Sequence, residues 1–181
     1  MAGCLEANEL HRAFTAVSSS QSEGGTIVDG TVRWLLVFCM SDMITDVMHI
    51  GCPAAKAYDL MADARNETRW NSGVAEVELR SGEPIGEGTQ FIVVDKRGQH
   101  DVTITGYNRP ETLSFVVRSA SMDVQIDYLL TEADGVTTMT GRFNAKGKGA
   151  MRFMLPMLVP LIRRDLAKEH ANFIRLCETP G

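Results

Sequence analysis

Basic residues are in the minority in this chain: 18 Lys and Arg stand against 23 Asp and Glu, a formal net charge of -5. Binding to the phosphates of a nucleic acid needs a basic face, so this balance argues against general nucleic-acid affinity. Cysteine is also scarce. Cys4, Cys39, Cys52 and Cys177 show no CxxC spacing and have no neighbouring histidine ligands. A zinc or iron–sulfur site is therefore unsupported, and a disulfide framework is not expected at this length; reduced thiols in a cytoplasmic protein are the expectation. His49, His100 and His170 are scattered singly, with no ligand-like pair. No GxSxG, HExxH or comparable catalytic signature appears. Gly82, Gly86 and Gly88 make no phosphate loop, because no GK[ST] follows and a strand stands where a helix N-terminus would be needed. The apolar run at 35–39 is too short to span a membrane. Acidic Glu6 and Glu9 upstream also deny it the basic start of a signal peptide. There is no internal repeat. No catalytic residue, metal or cofactor is assigned from this inventory.

What the chain does have is ordinary globular composition, 44% hydrophobic and 23% charged over 181 residues, enough for one domain. Its last stretch dominates. Leu155, Leu158, Ile162, Leu166, His170, Phe173 and Cys177 recur at steps of three or four, which puts them on one helical face. A helix over 147–178 is about 45 Å long at 1.5 Å per residue. Its first half, 150–162, is apolar nearly all round, and Pro156 and Pro160 there are expected to kink or interrupt it. Its second half is amphipathic. From Gly141 onward eight Lys/Arg stand against three Asp/Glu, while 41–140 carry eight against sixteen. Two solvated faces explain that asymmetry.

A long half-apolar helix is hidden only by something wrapped around it, and what precedes it reads as strands. The first is 44–50. Pro53 then opens a helix, a position that suits its missing N–H, and a second helical turn follows at 63–69. Strands at 74–80, 88–95, 101–107, 113–118, 122–131 and 136–145 come in quick succession, separated by turn residues such as Asn108-Arg109-Pro110 and Asp134-Gly135. Short links make antiparallel neighbours. The alternation is clearest where Met122, Val124, Ile126, Tyr128 and Leu130 share a face opposite Asp123, Gln125 and Asp127. The predicted architecture is α+β: a seven-stranded curved antiparallel sheet around a long C-terminal helix, a helix-grip fold, with two short helices after strand 1. Residues 40–181 form the single domain in this reading. Residues 1–39, with a Ser/Gln/Gly-rich segment at 18–25, read as a loosely attached extension; the rival is a real hairpin at 26–38 that adds to a sheet edge.

The chain resembles the START/SRPBCC superfamily, near its polyketide cyclase/dehydrase and lipid-transport branch. The resemblance covers roughly 43–178. It rests on the ordered series Pro53 to Asp63, Arg69-Trp70-Asn71, Pro84 to Phe91, Tyr107 to Phe115, Asp134 to Met139 and the Gly-led terminal helix. It implies an apolar cavity between sheet and long helix that holds a lipid, polyketide, steroid-like or other hydrophobic ligand. It implies no particular reaction, since no catalytic signature is shared by all members.

Candidate ligand contacts follow from both readings. Trp70 sits where the resemblance places a side chain near the cavity mouth, and offers a large apolar surface with one N–H. Phe91, Phe115, Tyr128 and Phe143 are placed on the concave face, with Val117 and Ile126 in the same inward sets; Met151, Leu155, Leu158 and Ile162 are the helix contribution. Core packing alone explains each of these singly. Three functions compete. The first is a carrier that encloses one hydrophobic small molecule, without covalent chemistry and without stable membrane insertion. The second is a cyclase/aromatase-type enzyme using a cavity Tyr or His. The third is a partner-binding module using the basic outer helix face of Arg163, Arg164, Lys168 and Arg175. A buried Tyr or His paired with a charged residue favours the second.

Overall fold

The computed structural model describes residues 43–179; the expected extension or hairpin within 1–39 lies outside the described residues. Seven strands form one antiparallel sheet: β1 (Met43–Ile50), β2 (Val74–Leu79), β3 (Gln90–Asp95), β4 (Gly98–Asn108), β5 (Thr112–Arg118), β6 (Met122–Ala133) and β7 (Val136–Gly147). The spatial order is β1-β7-β6-β5-β4-β3-β2. Strands β2 to β7 are thus a meander, and β1 closes onto its far edge beside β7. Between β1 and β2 lie helix α1 (Ala54–Ala62) and a 3-10 turn (Ala64–Arg69); helix α2 (Met151–Glu178) ends the fold.

Local chemistry explains the boundaries. The turn between β6 and β7 is Asp134-Gly135, with φ of 52° and 76°, and only residues tolerant of left-handed backbone fit there. At the β3–β4 turn, Asp95 Oδ1 accepts from the Arg97 N–H at 2.7 Å, and Gly98 takes φ of 118°. Strand β4 bulges between Ile104 and Gly106, and β2 between Val74 and Glu76, irregularities that bend and twist a strand locally. At the start of α1 the orphan N–H of Ala54 donates to Glu132 Oε2 of β6 at 2.7 Å, so the helix is capped from the sheet.

The core lies between the inward faces of sheet, α1 and the last turns of α2. Ile50, Tyr58, Leu113, Met139, Phe173 and Cys177 are all fully buried. Tyr58 meets Tyr107 edge-on at 5.3 Å, and its hydroxyl donates to the Thr112 carbonyl at 3.2 Å. In α2 the two prolines do not end the helix, which runs unbroken from Met151 to Glu178. Each proline forfeits one backbone bond, but its fixed φ is already helical. The carbonyls freed are those of Arg152, exposed, and Pro156, half-buried, so water can serve them. The first half of α2 is not covered as the apolar composition led one to expect: Phe153 is 61% and Met157 83% exposed. No helix among the described residues is long and apolar enough to cross a membrane.

One buried polar bond ties β7 to the loop before α1. Thr137 is wholly buried, and its hydroxyl donates to the Cys52 carbonyl at 2.6 Å. Thr137→Val keeps the shape but orphans that carbonyl, a loss of about 1–3 kcal/mol. The expected outcome is a lower urea midpoint with an unchanged m-value, read from equilibrium unfolding.

Candidate functional site

A cavity of about 590 Å³ opens between the sheet and the second half of α2, a volume in the range of small-molecule sites. Its inner wall is apolar, built by alternate residues of neighbouring strands: Phe115 and Val117 of β5, Val124 and Ile126 of β6, and Phe143 of β7. Tyr128 sits among them, edge-on to Phe115 at 6.4 Å and to Phe143 at 5.9 Å. Gly141, paired with Tyr128 across the ladder, makes room for both rings; a Cβ there would come within 2.9 Å of each. Trp70 lines the cavity from the end of the 3-10 turn. It stacks edge-on against Phe173 at 4.9 Å, and its carbonyl accepts from Asn172 Nδ2 at 2.9 Å.

The mouth is charged. The 3-10 turn brings Glu67, the β3–β4 hairpin brings Asp95, Lys96, Arg97 and, from the start of β4, His100, and α2 brings Asp165, Lys168 and Glu169. His100 Nε2 lies 2.8 Å from Asp95 Oδ1. Burial would raise the Asp95 carboxyl, but His100 and the Arg97 N–H hold it below its ordinary value. Glu67 accepts from Asn71 Nδ2 at 2.9 Å, yet burial, with the nearby Asp95 charge, pushes its carboxyl up. Burial, with the Glu67 charge, pushes Glu169 up to about 7. Deeper in, burial and the carboxylates of Glu67, Glu169 and Asp46 keep the Tyr128 hydroxyl protonated. His170 lines the cavity beside Phe143, and its Nδ1 bonds Asp46 Oδ2 of β1. Burial lowers the His170 pKa, and the Asp46 bond only partly offsets this. No group of three or more metal-capable side chains occurs among the described residues.

The structure brings Trp70, Phe115, Val117, Ile126, Tyr128 and Phe143 together around the cavity. Phe91 is buried in the core, outside the cavity wall. Met151, Leu155, Leu158 and Ile162 lie outside it too. The α2 wall comes instead from residues between Asp165 and Asn172, because only that half of the helix stands over the open part of the sheet. Of the basic helix face, Lys168 turns to the cavity mouth. Asp46 was missed by sequence reasoning, although a signal existed. It occupies the inward period of β1 between Ile44 and Met48, where an aliphatic residue is expected. Glu67 and Glu169 gave no comparable signal, since polar residues in a helical turn or on an amphipathic helix are unremarkable in sequence.

Residues 42–178 match the family model described as polyketide cyclase / dehydrase and lipid transport. No curated protein matches the chain in sequence. Among solved structures, Ara h 8.0201 superposes with a TM-score of 0.59 at 15% identity, over 75% of this chain and 96% of that one. A START superfamily protein from Mycobacterium smegmatis gives 0.57 at 12% identity, over 74% and 98%. The di-domain ARO/CYC BexL from the BE-7585A biosynthetic pathway gives 0.59 at 16%, over 96% of this chain and 61% of that one. At these identities the likeness is one of fold.

The mouth carboxylates give a pH signature. Glu169 in the folded chain binds its proton up to about pH 7, against an ordinary 4.5, so ionising it favours the unfolded chain. Its contribution to stability is present below the ordinary value and is lost as pH rises toward 7. Glu169→Gln, which cannot ionise, is expected to gain stability relative to wild type across that window. Thermal unfolding of both proteins against pH checks this, and two parallel curves would count against it.

Proposed function

Because the chain belongs to the polyketide cyclase/dehydrase and lipid transport family of the START/SRPBCC superfamily, we propose that it encloses one hydrophobic small molecule in the cavity between sheet and α2. The observation that carries this reading is the wall itself. Phe115, Val117, Ile126 and Phe143 line open space with apolar surface, and an apolar guest covers that surface at the expense of water. Trp70 and the charged mouth are placed to meet the guest's polar end. A lipid, polyketide or steroid-like molecule, apolar along most of its length with oxygen at one end, fits both zones.

The test uses Nile red, a neutral apolar dye whose emission rises on leaving water. The full chain is expected to bind it saturably. Phe115→Asp, which places a carboxylate in the apolar wall, is expected to weaken binding at least tenfold. Leu129→Asp, on an exposed position of β6, is expected to leave it unchanged. Equal binding by all three proteins, or none by wild type, would refute the cavity reading.

A further inference from the structure

Seven large apolar side chains stand in water among the described residues, and four of them lie on the first half of α2. Phe153 is 61% exposed, Met154 50%, Met157 83% and Leu161 47%; the other three, Val47, Leu129 and Val136, belong to the sheet. At about 100° of turn per residue, the four helical positions fall within a third of the circumference. Leu155, buried to 2% exposure, is turned to the opposite side. This half of the helix is therefore packed on one side and bare on the other. One turn and two turns further on, the same outward line carries Arg164 and Lys168, the polar residues that an outward face normally has. Four apolar side chains along one exposed line mark a surface that meets something less polar than water.

The charges around that line say what it meets. Between positions 146 and 168 the chain carries six Lys and Arg against one acidic residue, Asp165, in a protein whose net charge is -5. Lys148 pairs with Asp123, and Arg164 lies 3.7 Å from Asp165. Arg152, Arg163 and Lys168 have no ion-pair partner among the described residues. Arg152 lies over the Phe153 ring at 4.4 Å, so charge and apolar ring are held side by side. A second copy of this face would bring like charges together. A bound peptide or helix needs a groove, whereas Met157, the most exposed of the four, protrudes. A lipid interface needs no groove. It takes protruding apolar side chains into its acyl boundary while its phosphates meet the neighbouring Lys and Arg.

We propose that the first half of α2 is a docking face for an anionic lipid bilayer. Phe153, Met154, Met157 and Leu161 enter the interface, and Arg152, Arg163 and Arg164 meet the phosphates. The contact is peripheral, since no helix among the described residues is long and apolar enough to cross a membrane. None of the four apolar residues lines the cavity, so the docking face stands independently of the cavity reading. The two are nonetheless neighbours. Just before α2, the Lys148 N–H donates to the Ser121 carbonyl and its Nζ to the Ser119 carbonyl, both at 2.8 Å. Ser119 and Ser121 line the cavity, as do Asp165 and Leu166 just beyond the apolar half of the helix. The docking face is thus bounded at both ends by the cavity lining or by residues bonded to it.

The experiment is co-sedimentation of the full chain with sucrose-loaded vesicles, either of phosphatidylcholine alone or with about a third phosphatidylglycerol. Wild type is expected to bind the anionic vesicles at least tenfold more tightly than the neutral ones, and to lose most of that preference in about 0.5 M KCl. Phe153→Ser combined with Met157→Ser changes no charge and trims only exposed side chains. This double substitution is expected to weaken binding to anionic vesicles at least tenfold. Arg152→Gln combined with Arg163→Gln is expected to narrow the gap between anionic and neutral vesicles. Val47→Ser combined with Leu129→Ser, exposed positions on the sheet, is expected to leave binding unchanged. Thermal unfolding of each variant verifies that it is folded. Wild type that fails to sediment with anionic vesicles, or sedimentation undiminished by Phe153→Ser with Met157→Ser, would overturn the docking face. So would a concentration-dependent dimer of wild type that the same double substitution dissolves, because the face would then belong to a second copy.

Discussion

Phe173 is the contact on which the arrangement of this domain depends. Fully buried and edge-on to Trp70, it fastens the last turns of α2 to the 3-10 turn and, through the core, to the inward face of the sheet. The His170–Asp46 bond lies one turn earlier and makes a second attachment, to β1. Cys177, buried one turn later, completes the anchored end. A helix held firmly at one end and spanning a bent sheet cannot follow the sheet closely along its whole length. The space beside the anchored turns is the cavity. Packing energy and the cavity wall thus come from neighbouring positions of one helix, and His170 both holds the fold and lines the cavity.

The same constraint explains the polarity of the site. The deep wall is made of β-strand residues whose alternation demands an apolar inward face, so it could hardly be polar without unfolding the sheet. The mouth is made of a 3-10 turn, a hairpin turn and the solvent-side flank of an amphipathic helix, where charges are normal. Bringing Glu67, Asp95 and Glu169 to one opening raises two of the three carboxyls, because burial and mutual repulsion both favour the neutral acid. Asp95 escapes this by pairing with His100. With Glu169 pushed up to about 7, the opening offers a protonated carboxyl as well as charges near neutrality, at the end of an apolar slot.

Much of this was legible in the sequence. The period of two in 122–130 and the turn chemistry of Asp134-Gly135 carry the strand order, and the three-four recurrence from Leu155 to Cys177 carries the long helix. The inward aromatic set of Phe115, Tyr128 and Phe143 followed from the same alternation. What stayed hidden depends on distances between elements. Apolar spacing alone does not tell which half of α2 stands over open space, so the wall was sought at 151–162 when it is built from 165–172. Asp46 and His170 are 124 residues apart, and no local pattern joins them. Two prolines argued for a broken helix; continuity won because each costs one backbone bond while leaving φ helical.

The central claim is that the cavity holds a hydrophobic guest, and the most direct measurement is of what the protein already carries. Full-length chain purified under native conditions would be extracted with organic solvent and the extract examined by mass spectrometry. The account predicts one hydrophobic compound near one equivalent per chain, and its loss from Phe115→Asp prepared in the same way. An extract with nothing above the buffer blank from wild type, or the same compound in equal amount from both proteins, would contradict it.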